Sequence, residues 1–381
     1  MRICSPHCGI DPETTSGGET YERELLPRLA GLGLHLDILL ARHKRHPEGV
    51  QNWTIHRLPI GRGLRWPVAP FILPPVIKRV HDATGFEVLR AHSLRYIGPA
   101  ALIARRRYGL DVPIIAHHHH LDRDLLNRLI ERRVVERSER VITVSEFSRR
   151  QLASMLGVRT DHVEVVPNGV DERFAPGPSD PACAARHRLE TRSVVLFLGG
   201  LKRRKNLGFL LDVWREVASQ RPNATLLIVG GGPLERALKG RAERLGLGTA
   251  VTFAGRVPEA EKVAYYNVAD VMVSPSSLEG FGFTVAEAMS CGLPVVVSDA
   301  GALPELVIDG QSGIVCAGGD TVAFVRGLVR LLDDSELRRR CGAFNRGRID
   351  RSYRWERSSR RVAEIYEDTL LQWKREAGRR R

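Results

Sequence analysis

SVVLFLGG, residues 193 to 200, is a short apolar run that ends in glycines, and it begins the stretch that decides the fold. A helix-forming stretch follows it, and a second apolar run, ATLLIVGGG (224–232), comes next. This alternation of strand and helix recurs along the chain and predicts an α/β fold with parallel sheets and crossover helices. The other predicted strands are HLDILL (35–40), VPIIA (112–116), RVITVS (140–145), HVEVVP (162–167), AVTFAG (250–255), ADVMVSP (269–275) and LPVVVSD (293–299).

The alternation occurs in two halves, which a polar, proline-rich segment separates. DERFAPGPSDPACA (171–184) is the best linker candidate, and a chain of 381 residues is long for one hydrophobic core. We therefore predict two Rossmann-like, doubly wound parallel-sheet domains, at 1–180 and 181–353. Apolar positions at helical spacing predict a long final helix over 354–377, and KREAGRRR (374–381) is expected to end the segment 354–381 as a solvated basic tail.

Composition and charge bound the possible functions. No apolar run approaches the ~20 residues of a membrane-spanning helix, and the start of the chain lacks the apolar core of a signal peptide. The six cysteines are scattered, which is typical of reduced thiols in a cytoplasmic protein. A net charge of +14 suits nucleic acid, an anionic membrane or phosphorylated small molecules. No nucleic-acid-binding motif is visible, so we expect no nucleic acid partner.

Two glycine-rich turns follow predicted strands, TTSGGET (14–20) and VGGGPLERAL (229–238). A dinucleotide-binding fingerprint needs a third glycine, but position 235 is Glu. Both turns can still hold a phosphate through backbone N–H groups at a helix start. Each turn is therefore either a phosphate-binding loop or a turn that merely allows close packing, and the sequence predicts no bound dinucleotide cofactor.

Two segments of the second half carry the chemistry. LGGLKRRKN (198–206) places cations at a helix start, where they are favourable if an anion is bound between them; the alternative is a solvated basic surface loop. EGFGFTVAE (279–287) places Glu279 in a loop and Glu287 about one turn inside a helix that begins near Phe283 or Thr284. The two glutamates are either an acid/base pair across a scissile bond or hydrogen-bond acceptors. In the second case, each accepts hydrogen bonds from ligand hydroxyls on one side of a bound diphosphate.

With further segments, these motifs resemble the retaining nucleotide-sugar glycosyltransferases of family 4, also called glycosyl transferases group 1. The resemblance implies a GT-B architecture, two Rossmann-like domains that face a central cleft. It assigns acceptor binding to 1–180, nucleotide-sugar binding to 181–353, and a helix that crosses back to the N-terminal domain to 354–381. The matching segments are SGGET (16–20), HHLDRD (119–124), VSEFSRR (144–150), VPNGVD (166–171), LGGLKRRKN (198–206), VGGGP (229–233), FAGRVP (253–258), SPSSLEGFGFTVAEAMSCGLPVV (274–296), GALPELV (301–307) and WE (355–356).

The resemblance also implies roles for individual residues. Glu279 would contact sugar hydroxyls, Glu287 would bind the ribose, and Lys205 would neutralise the departing diphosphate. The family often has an arginine where this chain has Gly200, and Arg204 or Arg203 is the candidate substitute. The other implied donor contacts are Gly17 and Gly18, Gly255 and Arg256 beside the base, and the backbone amides of Gly280, Phe281, Gly282, Phe283 and Thr284.

Four consecutive histidines, 117–120, end the predicted strand PIIAHH. Successive strand residues point to opposite faces, so the four cannot converge on one metal ion. The resemblance implies one histidine that contacts the sugar; His119 is the best match, and His118 and His120 stay open. The implied catalytic set is His119, Lys205 and Glu279, with no metal and with the nucleotide sugar as co-substrate rather than a cofactor.

The resemblance thus implies a metal-independent hexosyltransferase that retains the anomeric configuration, in surface polysaccharide or glycolipid biosynthesis. The alternatives are a non-catalytic nucleotide-sugar-binding protein and a nucleotide-sugar epimerase, and the donor base stays open among UDP, GDP and ADP. The stretch 62–81 is either a membrane-docking element or an ordinary packed helix. We expect a cytoplasmic enzyme; if the stretch docks, the acceptor is lipid-linked and the enzyme works at the inner face of the plasma membrane. Its aromatic and basic residues are Trp66, Phe71, Arg62, Arg65, Lys78 and Arg79.

Overall fold

The computed structural model describes residues 1–7, 9–13, 17–58, 60, 68–119 and 125–380. The chain forms two compact units, Met1–Asn168 with Trp355–Arg381, and Gly169–Arg354. Some expectations fall outside the described residues: those on His120, on the first residues of TTSGGET, and on Arg62, Arg65 and Trp66.

The first unit contains one parallel sheet. Its strands are β1 (Arg2–His7), β2 (His35–Ala41), β3 (Trp53–Leu58), β4 (Val88–Ala91), β5 (Ile114–His118), β6 (Arg140–Thr143) and β7 (Val163–Val165). They pair in the order β3-β2-β1-β4-β5-β6-β7, and all neighbours run parallel. The order reverses between β1 and β4, and ligands bind at the carboxyl ends of the strands beside such a reversal.

Helices cover this sheet. They are α1 (Gly17–Gly31), α2 (Ala69–Thr84), α3 (Ile97–Tyr108), α4 (Leu125–Arg137), α5 (Glu146–Leu156) and, from the end of the chain, α14 (Trp355–Arg380). Local signals set their limits: Ser145 Oγ accepts a bond from Ser148 N–H at the start of α5, and Gly109 ends α3 with φ of 62°. Because α14 runs to Arg380, the basic end of the chain is helical over its described residues rather than a separate tail.

The second unit contains the second parallel sheet. Its strands are β8 (Ser193–Leu198), β9 (Ala224–Val229), β10 (Val251–Gly255), β11 (Val271–Ser274), β12 (Val295–Ser298) and β13 (Gly313–Cys316). They pair in the order β10-β9-β8-β11-β12-β13, so β8 and β11 flank the reversal. The helices are α6 (Pro181–His187), α7 (Leu207–Gln220), α8 (Glu235–Arg244), α9 (Lys262–Asn267), α10 (Phe283–Ser290), α11 (Leu303–Leu306), α12 (Thr321–Asp333) and α13 (Ser335–Ser352).

The proline-rich segment packs on the second unit instead of spanning freely between domains. Phe174 is only 2% exposed, its ring lies 5.8 Å from that of Tyr266, and its carbonyl accepts a bond from Ser290 Oγ. The division between units therefore falls at Asn168/Gly169, ahead of the expected boundary at 180/181.

The prediction of an α/β fold with two Rossmann-like parallel-sheet domains is confirmed. In the described ranges, no helix combines the length and apolar character needed to cross a membrane. The same residues contain no group of three or more His, Cys, Asp or Glu side chains arranged to hold a metal ion.

Candidate active site

Glu279 and the cationic loop after β8 meet at the carboxyl edge of the second sheet. Lys205 ends a single helical turn, Arg203–Lys205, beyond β8, and Glu279 follows the neighbouring strand β11. Lys205 Nζ donates to Glu279 Oε1 at 2.5 Å. An Arg204 guanidinium nitrogen donates to Glu279 Oε2 at 2.9 Å. The structure thus brings together the predicted lysine, the predicted glutamate and one of the two candidate substitute arginines.

The charges around Glu279 keep its carboxylate ionised. Burial raises the pKa of Glu279, but the opposing charges of Lys205 and Arg204 outweigh it, so the pKa lies below its ordinary value. An ionised carboxylate accepts hydrogen bonds without donating any. The Glu279 carboxylate can therefore accept hydrogen bonds from ligand hydroxyls while Lys205 and Arg204 face a diphosphate.

A close backbone contact holds the Glu279 loop. Ala302 N–H donates to the Glu279 carbonyl at 2.9 Å. Gly301, with φ of +65°, lies so near that a Cβ on it would be 2.1 Å from the same oxygen. The segment GALPELV (301–307) thus supports the position of the Glu279 loop, because Gly301 has no Cβ and the two backbones can come into contact.

Helix α10 begins at Phe283, as the sequence predicts. Gly282 precedes it with φ of +98°, and its carbonyl accepts the first intrahelical bonds, from Val285 and Ala286. Phe281 is 6% exposed and packs against Phe283 and Tyr353. Phe281 can therefore contact a ligand through its backbone, while its side chain anchors the turn.

Glu287 lies one turn inside α10 among partners that the sequence did not reveal. Tyr266 Oη donates to Glu287 Oε2 at 2.6 Å, and Lys262 Nζ lies 3.6 Å from the same oxygen. Burial raises the pKa of Glu287, Lys262 lowers it and Glu259 raises it again, so the pKa lies above its ordinary value. Lys262 and Tyr266 come from the short helix α9, and no motif marks them.

The glycine turn after β9 lies beside Arg256. A Cβ on Gly231 would be 2.7 Å from Arg256 Cγ, so the arginine side chain lies against this turn. Gly255 has φ of +73°, and its carbonyl accepts a bond from Gly230 N–H at 2.7 Å. The predicted pair Gly255 and Arg256 thus belongs to the same sheet edge as Lys205.

The histidine run divides as strand geometry requires. His117 and His118 are each 1% exposed. A nitrogen of His117 lies 2.6 Å from Tyr366 Oη, and a nitrogen of His118 lies 3.2 Å from Thr143 Oγ1. The His119 side chain is 19% exposed, with Nε2 3.9 Å from Glu22 Oε1. Of the three described histidines of this run, His119 is therefore the best placed to reach a ligand. The other predicted contacts from the first unit, Gly17 and Gly18, lie in the first turn of α1.

A buried ionic network that no sequence motif marks lies at the reversal of the first sheet. Arg90 of β4 donates two hydrogen bonds to Glu22 of α1, at 2.7 and 2.8 Å, and a third to Tyr366 Oη at 2.7 Å. His92 stacks on His7 with ring centroids 4.4 Å apart. Burial, reinforced by the Arg90 charge, lowers the pKa of His92 to about 4, although Glu22 opposes this. The His92 imidazole, which lies beside the Arg90–Glu22 pair, is therefore neutral near pH 7.

Comparisons with known proteins follow the same division of the chain. Residues 15–174 match the model of Glycosyltransferase Family 4, and residues 184–348 match that of Glycosyl transferases group 1. A protein of Mycolicibacterium smegmatis, the GDP-mannose-dependent alpha-(1-6)-phosphatidylinositol monomannoside mannosyltransferase, is 33% identical over 308 residues, which are 78% of each chain. The chain belongs to glycosyltransferase family 4. A D-inositol 3-phosphate glycosyltransferase of Acidothermus cellulolyticus is 30% identical over 96% of this chain and 88% of its own.

Solved structures show the same fold for this family 4 glycosyltransferase. Sucrose-phosphate synthase from Thermosynechococcus elongatus superposes with a TM-score of 0.83 at 23% identity, over 98% of this chain and 100% of its own. HepE of Anabaena, in complex with UDP and glucose, has a TM-score of 0.77 at 19% identity, over 96% of this chain and 99% of its own. The GT-B prediction is confirmed, and the relatives place the chain among glycosyltransferases rather than epimerases.

Proposed function

We propose that this family 4 glycosyltransferase moves a hexose from a nucleotide diphosphate sugar to a hydroxyl of a lipid-linked acceptor, with retention of the anomeric configuration. The contact between Lys205 and Glu279 carries the proposal. It supports the proposal because a cation that can face a diphosphate lies beside a carboxylate that can accept hydrogen bonds from sugar hydroxyls, at one sheet edge. We assign surface polysaccharide or glycolipid biosynthesis as the process that this reaction serves.

The donor would lie along the segment from Glu279 to Glu287. Glu279 accepts hydrogen bonds from the sugar, the first turn of α10 faces the diphosphate, and Glu287 accepts hydrogen bonds from the ribose. The start of a helix suits a diphosphate because its N–H groups point outward and its dipole favours negative charge. Gly255 and Arg256 would lie beside the base, and we also assign diphosphate contacts to Gly17 and Gly18.

The reaction develops negative charge on the leaving diphosphate. The bond from C1 of the sugar to the diphosphate oxygen breaks, the bond from C1 to the acceptor oxygen forms, and the acceptor proton passes to the leaving phosphate. Lys205 and Arg204 stabilise that charge from fixed positions, the kind of preorganised electrostatics that lowers a barrier most. Attack on the side that the leaving group vacates gives retention. In this mechanism no step needs a metal ion or a covalent protein nucleophile. His119 contacts the sugar of the donor.

The names of two relatives narrow the substrates to test first. One is a GDP-mannose-dependent enzyme acting on a phosphatidylinositol mannoside, and the other is a D-inositol 3-phosphate glycosyltransferase. We propose GDP-mannose as the first donor to test, and an inositol-containing lipid as the first acceptor, with UDP and ADP sugars as alternatives. We also propose that the enzyme acts in the cytoplasm, at the inner face of the plasma membrane, since a charge of +14 suits an anionic lipid surface.

A transfer assay tests the proposal. The purified chain would be given UDP-, GDP- and ADP-hexoses with lipid acceptors. Chromatography would measure the released nucleoside diphosphate, and NMR would determine the anomeric configuration of the product. We expect release with one nucleotide class and a product with the anomeric configuration of the donor. Glu279→Gln should abolish it, whereas Lys202→Ala, an exposed position in the same loop, should not. Nucleotide binding without release would support a non-catalytic binding protein instead, and an inverted product would refute retention.

A further inference from the structure

Two consecutive side chains of α1 lie against His119. The rings of Tyr21 and His119 pack edge to face, with centroids 4.5 Å apart and an interplanar angle of 64°. Glu22, the next residue, brings its Oε1 to 3.9 Å from His119 Nε2. That distance is longer than a hydrogen bond, but hydrogen bonds at reaction sites often tighten only when the substrate is bound. Helix α1 thus limits how the His119 ring can turn and which of its atoms a ligand can reach.

The Glu22 carboxylate is itself held in one orientation. Arg90 donates to Glu22 Oε2 at 2.7 Å and to Oε1 at 2.8 Å, and a third bond ties its guanidinium to Tyr366 Oη. Glu22 is 1% exposed and Arg90 is fully buried. Burial raises the pKa of Glu22, but the charge of Arg90 outweighs it, so the pKa lies well below its ordinary value. Glu22 therefore presents a fixed, ionised carboxylate to His119.

The other histidines near Glu22 are more deeply buried. His7 Nε2 lies 3.4 Å from the other carboxylate oxygen, Glu22 Oε2, and His92 stacks on His7. His7, His92 and His117 are 0%, 9% and 1% exposed. Of these four histidines, His119 alone combines a Glu22 oxygen at one ring nitrogen with a side chain that is 19% exposed.

The position of Glu22 decides which ring nitrogen of His119 carries the proton. An ionised carboxylate accepts hydrogen bonds and donates none, so the nitrogen that faces it carries the hydrogen. That nitrogen, Nε2, is buried and has no hydrogen-bond partner within the described part of the chain. A neutral imidazole has one N–H, and the bond that one nitrogen makes sets the role of the other. Nδ1 is therefore a hydrogen-bond acceptor, and it is the ring nitrogen left for a ligand.

We propose that Glu22 positions His119 with its proton on Nε2, so that Nδ1 accepts a hydrogen bond from one hydroxyl of the donor sugar. Glu22 is a positioning residue, because it acts through His119 and does not contact the donor. Accepting a hydrogen bond, rather than donating one, suits a sugar that develops positive charge in the transition state. The inference deepens the proposed function and rests on it for the presence of a sugar, whereas the tautomer can be measured without any donor.

Nitrogen NMR of the wild-type chain with ¹⁵N-labelled histidine tests the tautomer directly. His119→Asn removes one of the 13 imidazoles and so assigns the signals of that ring. At pH 8 and without ligand, we expect Nε2 of His119 to carry the proton and Nδ1 to carry none. A proton on Nδ1, alone or together with one on Nε2, would overturn the proposal.

Glu22→Gln tests the role of the carboxylate. The amide has nearly the same size but no charge, and its N–H groups can face His119, so we expect the protonated fraction of Nδ1 to rise in the NMR spectrum. We expect kcat to fall about tenfold to 100-fold and the KM for the donor to change by less than about threefold, because the sugar contact strengthens as charge develops. An unchanged tautomer and an unchanged kcat would show that Glu22 does not position the ring.

Donors that each lack one sugar hydroxyl separate positioning from a general loss of structure. With the wild-type chain, the donor without the hydroxyl that His119 accepts from should react about tenfold more slowly than the full donor, or slower still. With Glu22→Gln the two donors should react at rates within about twofold, since the hydroxyl has lost its acceptor. A purely structural role would slow both donors alike and keep their ratio as in the wild type, which would contradict the proposal.

The matched control is Glu139→Gln, which also breaks an arginine–carboxylate pair of the first unit. Glu139 accepts two bonds from Arg105, each at 2.8 Å, and it precedes β6, at the sheet edge opposite to His119. This variant should lower stability and leave both the His119 tautomer and kcat unchanged. If Glu22→Gln did not fold, the wild-type spectrum would still decide the tautomer. If the wild-type chain transferred no sugar, the proposed function would fail, and the same spectrum would still confirm or overturn the position of the proton.

Discussion

Lys205 Nζ lies 2.5 Å from Glu279 Oε1, and the two side chains are 10% and 8% exposed. Arg204 contacts the other carboxylate oxygen from a side chain that is 47% exposed. The buried lysine is therefore the partner that solvent screens least. This arrangement couples stability to donor binding, because the same cation neutralises Glu279 and would face the diphosphate.

Replacing Lys205 by Met should separate these two roles. The substitution leaves a buried carboxylate whose other cationic contact among the described residues, Arg204, is 47% exposed, so we expect a loss of about 2–4 kcal/mol in the free energy of unfolding. Transfer should fall by about 100- to 1,000-fold. The double variant with Glu279→Gln should recover stability without recovering activity. Urea denaturation and the transfer assay measure the two effects, and a single variant that kept both properties would contradict the assigned role.

The two glutamates of EGFGFTVAE should respond to pH in opposite directions. The pKa of Glu279 lies below its ordinary value of 4.5, so its contribution to stability is present above pH 4.5 and is lost as the pH falls through the folded pKa. The pKa of Glu287 lies above 4.5, so its contribution is present below pH 4.5 and is lost as the pH rises through the folded pKa.

Difference curves would reveal these signs. The free energy of unfolding of the wild-type chain minus that of Glu279→Gln should rise with pH, and the difference for Glu287→Gln should fall. Each slope is bounded by about 1.4 kcal/mol per pH unit for one proton. Two curves of the same sign would show that the carboxylates share one environment.

Tyr266 should position Glu287 rather than contact the donor sugar. Tyr266→Phe removes the 2.6 Å hydrogen bond, so we expect a loss of about 1–3 kcal/mol in stability. The KM for the donor should rise severalfold while kcat changes little. Tyr265→Phe is the control, since Tyr265 Oη lies 3.0 Å from a nitrogen of His187 and not beside Glu287. Equal changes in KM for both variants would argue against a specific role.

Gly301 should be required for the position of Glu279. Both Gly301 and Gly310 have positive φ, +65° and +74°, so Ala at either position costs about 1–2 kcal/mol in backbone strain. Only at Gly301 does a Cβ also meet backbone atoms, while at Gly310 nothing lies within 4 Å. Gly301→Ala should therefore lower both stability and transfer, and Gly310→Ala should lower stability alone. Denaturation curves with donor-release rates distinguish these outcomes.

Buried parallel strands explain how much of the fold the sequence predicts. Strands such as β8 and β9 are continuous apolar runs because helices cover both faces. Strand β3 carries no such run, since it lies at the sheet edge and is partly exposed. Strand β4 is only four residues long and contains the buried Arg90. The proline-rich segment is held by the buried Phe174 ring and by hydrogen bonds from Ser290 and Arg346 to the Phe174 carbonyl, and its composition signals neither.

The site residues that the sequence predicts are those that lie together in short segments of the chain. Glu279 and Glu287 lie in one motif, and Lys205 belongs to a cationic run, so a pattern within a few residues marks each of them. Glu22 and Arg90 are 68 residues apart and resemble ordinary charged positions. Only the folded sheet, which places β4 beside β1 and under α1, shows that they pair.

Calorimetric titration of nucleoside diphosphates tests the central claim, that the contact of Lys205 with Glu279 marks the donor site. We expect one of UDP, GDP and ADP to bind the wild-type chain and Lys205→Met to weaken this binding about tenfold to 100-fold. Lys202→Met should bind within about twofold of the wild type. If none of the three nucleotides bound, or if Lys205→Met bound as tightly as the wild type, the donor site would not lie here.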